Sequence, residues 1–216
     1  MEIFMQNIKN ILFDYGNVIF EIDFARVHQS FKELGISNVL ELYGHLDQDS
    51  LFDDFDKGDI SSAQFRDGIR RLSGKADLQD DQIDQAWNAL LIGVPAENHT
   101  LLERYHQQYN TYLLSNNNEI HYKWILDYLK REYQLEGNQT FFKHCYYSHH
   151  MGMRKPNSDI FERVLKEQNL LPKETLFIDD SPQHIRTAQT LGIQTVLIEP
   201  GETLSELTKR IGLLED

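Results

Sequence analysis

Between residues 21 and 93 the apolar positions keep helical time. Phe24, Val27, Phe31 and Leu34 recur three and four apart, the spacing of one buried stripe on a helix. Gly35 supplies a stop. Leu51, Phe52 and Phe55 predict a short helix before the Lys57-Gly58 break. Ser61 then faces Gln64 three residues on, a capping-box pattern, ahead of Phe65, Ile69 and Leu72. Asp80 and Asp81 open a further helix, where acids suit the positive end of the dipole, and its stripe is Ile83, Ala86, Trp87, Leu90 and Leu91. The spacing predicts helices and no strand here, and Gly93-Val94-Pro95 closes the block.

The rest of the chain has another texture. Short runs rich in apolar and β-branched residues cover 10–14, 111–115, 141–148, 175–179 and 194–199. Amphipathic segments near 96–108, 119–131, 158–168 and 182–191 precede the last four in turn. Strand and helix in alternation read as βαβ units around a parallel sheet. The expectation is an α/β, Rossmann-like doubly wound core formed by 1–20 and 94–216, with a helical cap, 21–93, inserted after the first strand. Trp124, Ile125, Tyr128 and Leu129 have helical spacing and read as core packing.

Composition narrows the function. A net charge of −13 does not favour nucleic acid or an anionic membrane surface as partner, and an anionic substrate then needs positive groups gathered at its site. No run has the roughly 18–20 apolar residues of a membrane span. The first residues, MEIFMQNIKN, lack a signal-peptide pattern, so a cytoplasmic location is expected. Cys145 is the only cysteine, which rules out an internal disulfide and a cysteine metal cluster; a small buried hydrophobe is its expected role. Monomer and homodimer stay equally open.

Open parallel sheets bind ligands at the carboxyl ends of their strands. Here the first such end carries Asp14, the second Ser115-Asn116 and the fourth Asp179-Asp180, and the loop after the third carries Arg154 and Lys155. Carboxylates crowded together raise one another's pKa, and a divalent cation relieves that; oxygen ligands favour Mg2+. Cation and ammonium together suit a phosphoryl group, and Ser115, Asn116 and nearby amides can donate to its oxygens. Asp14, on a rigid turn, is then free to attack phosphorus.

The segments FDYGNV, LLSN, GMRKP and FIDDS, in that order, resemble the four motifs of the haloacid dehalogenase-like hydrolases. The resemblance implies Asp14 as nucleophile, Ser115 with Asn116 as phosphate binders, Lys155 as stabiliser of the transferring group, and Mg2+ held by Asp14, the Gly16 backbone carbonyl and Asp180. Asp179 and Arg154 are supporting residues, Arg154 being placed equally well at the phosphate or on the surface. DYGNVIFEID, SHHMGMRKP and FIDDSPQHI resemble more closely the bacterial sugar-1-phosphate phosphatase branch, which acts on glucose 1-phosphate and similar compounds. The small phosphorylated metabolite it implies, with a sugar 1-phosphate as one candidate, would be selected by the cap.

Two positions depart from the pattern. Phosphatases of this family carry a second Asp two residues after the nucleophile as general acid, where this chain has Gly16; general acid–base help is worth about 10²–10⁴-fold. A catalytically weak phosphate-binding or regulatory protein is therefore the contrasting expectation. Four residues after Asp180, where relatives place an acid or Asn, stands His184, open to a surface role or a site contact. A 2-haloacid dehalogenase is a minor alternative, since Tyr15 and Gly16 are offset by one residue from that pattern. His149 and His150, read as strand residues, should point to opposite faces and so share no ion. Asp53 to Asp59 fails the calcium-loop register and reads as a solvated cap loop. Asp23 and Arg26 can equally touch a sugar or lie on the helix surface.

Overall fold

The computed structural model describes residues 7–36 and 50–214. Five parallel strands form the main sheet: β1 (Asn10–Phe13), β4 (Asn110–Ser115), β5 (His144–Tyr147), β6 (Thr175–Asp179) and β7 (Gln194–Leu197), in the order β5-β4-β1-β6-β7. The central strands are buried end to end, as strands covered by helices on both faces must be. Helices α5 (Ala96–Gln108), α6 (Glu119–Tyr133), α8 (Ser158–Glu167), α9 (Pro182–Thr190) and α10 (Leu204–Ile211) belong to this layered core. One apolar cluster on the sheet gathers Phe13, Leu102, Tyr105, Leu113 and Ile178; the opposite one gathers Leu12, Leu114, Phe161 and Phe177. Adjacent residues of β1 thus feed opposite clusters, the period-two alternation of a strand.

The insert carries α1 (Phe24–Glu33), α2 (Ser50–Lys57), α3 (Ser62–Ser73) and α4 (Asp80–Asn88). Val27, Phe31, Phe52, Phe55, Phe65, Ile83 and Trp87 make a cluster of their own, which Ile120 of α6 joins from the core. The expected capping box is formed, Ser61 Oγ accepting from the Gln64 N–H and Gln64 Oε1 from the Ser61 N–H. Phe24 and Leu72 depart from the expected stripes. They stand at the first position of α1 and the last turn of α3, and remain 41% and 38% exposed.

The ends of the insert also depart from the helical reading. Here β2 (Glu21–Ile22) pairs antiparallel with β3 (Leu91–Gly93), a ribbon too short to show a period in sequence. Residues 141–143 precede β5 instead of belonging to it, following a 3-10 turn at Asn138–Thr140. Helix α10 was not anticipated, although Thr203 and Glu206 make a capping box at its start.

Candidate active site

Register places the first acid. Phe13 of β1 is level with Leu113 of β4 and Ile178 of β6, and the Asp14 N–H donates to Ile178 O at 2.9 Å. The chain then folds back sharply, with Ile19 and Phe20 N–H both donating to Tyr15 O and Asn17 at a φ of 55°. Asp14 is thereby fixed at the carboxyl edge beside the ends of β4 and β6. Lys155 arrives from the loop after the one-turn helix α7 (Ser148–Met151). Its side chain has no exposed surface, and Nζ lies 2.7 Å from both Asp14 Oδ1 and Asp179 Oδ2.

The loop is held by Asn116, whose side-chain Nδ2 donates to Lys155 O and whose Oδ1 accepts from Lys155 N–H, each at 2.9 Å. The Asn116 side chain, expected to face a phosphate, thus clasps the backbone of the lysine loop. Ser115 closes β4 at 3% exposure, its hydroxyl donating to Asn116 O at 3.3 Å. Asp179 Oδ1 accepts from the Ser181 N–H at 2.7 Å and faces His184 Nδ1 at 2.9 Å, so His184 meets the site through Asp179. Asp180 Oδ2 accepts from Asn17 Nδ2 at 2.9 Å.

These groups shape one another's protonation. Burial drives Asp14 up to about 7; Lys155 pulls it down, and Asp179 and Asp180 push it up again. Burial would raise Asp179 too, but Lys155 and His184 prevail and hold it below the ordinary carboxylate range. Burial raises Asp180, opposed by the bond from Asn17. Desolvation works against the Lys155 ammonium, yet Asp14 and Asp179 keep it charged. Carboxylate oxygens of Asp14, Asp179 and Asp180 lie within 4.8 Å of one another, with a single ammonium among them. A hard all-oxygen set with surplus negative charge fits a small divalent cation.

Above these residues lies a cavity of about 570 Å³, whose wall includes Asp14, Ser115, Lys155 and Asp180 from the core with Phe24 and Asp56 from the insert. Asp56 was not singled out from the sequence. It sits in the last turn of α2, where the acid-rich 53–59 segment had read as a solvated loop, and it is 5% exposed. Burial pushes it up to about 7, against a hydrogen bond from Asn118 that draws it down. Arg154 forms an ion pair with Asp53, and its Nη2 stays 3.7 Å from Asp56, too far for a hydrogen bond.

Asn118 is the other residue the sequence did not flag. Its Oδ1 accepts from Trp87 Nε1 and the His121 N–H, and its Nδ2 faces Asp56 Oδ1 and His121 Nδ1, tying insert to core. The three-asparagine run ahead of α6 was the available signal, since Asn is a preferred N-cap. Asp23 caps α1 by accepting from the Ala25 N–H. Neither it nor Arg26 lines the cavity. Cys145 packs half-buried against the core cluster, short of the full burial expected, and burial pushes its thiol up to about 12.

A family model of haloacid dehalogenase-like hydrolases matches residues 8–192. D-ribitol-5-phosphate phosphatase of Bacteroides thetaiotaomicron is 31% identical over 196 residues, covering 90% of this chain and 93% of that protein. A solved enzyme of the same family from that organism, in a magnesium complex, superposes with a TM-score of 0.86 at 39% identity over 94% of this chain and 100% of the other. A further solved member, a predicted hydrolase of Porphyromonas gingivalis, gives 0.82 at 32% identity over 97% and 100%.

Proposed function

The chain belongs to the haloacid dehalogenase-like hydrolases, and from that premise we propose that it is a magnesium-dependent phosphatase of a small phosphorylated sugar or sugar alcohol, working through an aspartyl phosphate on Asp14. The observation that carries this reading is the meeting of Asp14, Lys155, Asp179 and Asp180 under a cavity of metabolite size. In water-poor surroundings such preorganised charge does most of the work of phosphoryl transfer.

Asp14, the Gly16 carbonyl and Asp180 would hold the cation, whose charge offsets the carboxylates and neutralises phosphoryl oxygens. Asp14 gives an electron pair to phosphorus as the bond to the leaving oxygen breaks in line. Lys155 holds the nucleophile in its attacking rotamer, and Ser115 with the amides after β4 receives the phosphoryl oxygens. Asp179 orients Lys155, and His184 orients Asp179. Water then cleaves the acyl phosphate and restores the Asp14 carboxylate. No side chain at Gly16 protonates the leaving oxygen, so esters with good leaving groups, anomeric phosphates among them, are favoured.

The expected sugar 1-phosphate and the ribitol 5-phosphate of the relative's name share one chemistry, a phosphate ester on a polyhydroxylated carbon chain. The Asp56 carboxyl and Arg154 guanidinium in the cavity wall suit hydroxyl groups of such a chain. The test is phosphate release from a panel of sugar and polyol phosphates with Mg2+. Turnover that depends on Mg2+ and disappears in Asp14→Asn is expected. Binding without turnover across anomeric, acyl and primary alkyl phosphates would overturn the proposal.

A further inference from the structure

His149 and His150 do not lie on a strand. They occupy α7, a single helical turn ended by Gly152 at a φ of 65°, so their side chains are about 100° apart instead of opposed. Their ring centroids are 4.1 Å apart. Opposite them stands Glu119, the first residue of α6, its Oε2 3.7 Å from His149 Nε2. One ligand atom from each of the three falls within 4.8 Å of the others.

The tautomer of His149 is set by its neighbour. Nδ1 lies 3.1 Å from the Asn117 carbonyl, which can only accept, so Nδ1 carries the proton and Nε2 offers a lone pair. That nitrogen is buried and has no hydrogen-bond partner among the described residues, in a side chain only 3% exposed. Facing it is a carboxylate oxygen, a second acceptor. The imidazole nitrogen is desolvated while the carboxylate keeps part of its solvent contact, and two acceptors facing each other repel unless a proton or a cation stands between them. The outer face of Glu119 is engaged elsewhere, Oε1 pairing with Lys123 at 2.9 Å.

We propose that Glu119, His149 and His150 form a second metal site, for a borderline divalent ion of the zinc class, separate from the carboxylate site at Asp14. Two imidazoles and one carboxylate are donors such ions prefer and magnesium does not. Metal bonds of about 2.0–2.1 Å span the 3.7 Å Glu119–His149 gap at a bent angle wider than tetrahedral, which a shift of a few tenths of an ångström in the Glu119 side chain closes. A histidine ligand donating its other N–H to a backbone carbonyl is the usual outer-shell arrangement, and Asn117 supplies it. His150 is exposed, giving the ion an entry path and a water-accessible fourth position.

The location gives the site a purpose. Glu119 follows the Ser115–Asn118 loop, and His149 precedes the loop of Arg154 and Lys155. Ser148 already joins the two, its hydroxyl accepting from the Asn117 N–H at 2.8 Å. An ion here pins both loops from outside the cavity and adds stability to the active-site edge.

The full chain, stripped with chelator and refilled with excess Mg2+, is titrated with Co2+ and then Zn2+. One equivalent should bind despite the Mg2+, with visible Co2+ absorption bands of nitrogen-containing four-coordinate geometry, and Zn2+ should displace them. Glu119→Gln and His150→Ala alter exposed or half-exposed side chains and leave the fold intact. Each should weaken Zn2+ binding by about tenfold or more. His149→Gln should remove the Co2+ bands, and Zn2+ should raise the melting temperature of the parent chain but not of these variants. Absence of Zn2+ binding in the presence of Mg2+ would overturn the site, and so would affinity unchanged in both Glu119→Gln and His150→Ala. Neither result bears on the phosphatase reading, whose readout is turnover.

Discussion

Lys155 Nζ sits 2.7 Å from Asp14 Oδ1 inside a side-chain environment with no solvent-exposed surface for the lysine. The same ammonium serves Asp179, so a single cation compensates two buried acids. Removing it leaves charge stranded, which in buried pairs costs about 3–5 kcal/mol. Lys155→Met should therefore lower the stability of the metal-free chain by several kcal/mol in urea unfolding, and turnover should fall below about a thousandth of the parent rate. A variant as stable as the parent would mean that the acids are protonated and the ion pair is nominal.

Gly16 lacks the φ that restricts side chains, and a Cβ built on it lies 3.1 Å from Ile22 Cδ1, the tip of a flexible side chain. An acid fits there after a shift of a few tenths of an ångström. Gly16→Asp should raise kcat on primary alkyl phosphates by about tenfold or more while changing anomeric phosphates little. An unchanged alkyl rate in a variant that still folds and binds Mg2+ would show that leaving-group protonation is not what Gly16 withholds.

Asp56 reaches the cavity from the insert, and its carboxyl accepts from Asn118 Nδ2. Asp56→Asn keeps the size and the partner of Asn118. On a polyol phosphate it should raise KM several-fold with kcat held within about twofold, the signature of lost ground-state recognition. The reverse pattern, kcat reduced at constant KM, would place Asp56 in the chemistry instead.

His121 is buried against Trp87, rings 4.9 Å apart, with Nε2 3.1 Å from Trp87 O and Nδ1 facing Asn118 Nδ2. Burial lowers it to about 4. The folded state therefore excludes a proton that the unfolded chain binds below about 6.5. The stability held by neutral His121 is complete above pH 6.5 and is lost as pH falls toward 4, by about 3 kcal/mol at most. In His121→Gln the difference in stability from the parent should shrink across that window. A constant difference from pH 7 to pH 4 would show that the imidazole titrates normally.

The fold was legible because its signals are local and repeated. Val27 and Phe31, Phe65 and Ile69, and Ile83, Ala86 and Trp87 each keep helical spacing, and β4 and β6 are short apolar runs that end in polar residues. Where signals are weak, local reading failed. The two-residue β2 has no period, and Ser148–Met151 is a single turn, too short for a helical period to set it apart from β5. Asp56 looked like one more acid on a wet loop because nothing near it in sequence buries it; Asn118, 62 residues away, does.

Asp14, Ser115 and Asp180, at or just past the ends of buried strands, and Lys155, in a loop beyond one, could be picked out as candidates from the chain alone. Their electrostatics could not. That Asn116 grips the lysine loop, that Lys155 stands between two acids, and that Glu119 meets His149 all join residues from separate strands or loops. Periodicity and composition determined which elements form and which chemistry each strand end carries, because those depend on neighbours a few residues away. Packing alone decided which groups share a charge, a proton or an ion, because desolvation and Coulomb energy depend on distance through space, and sequence separation does not record it.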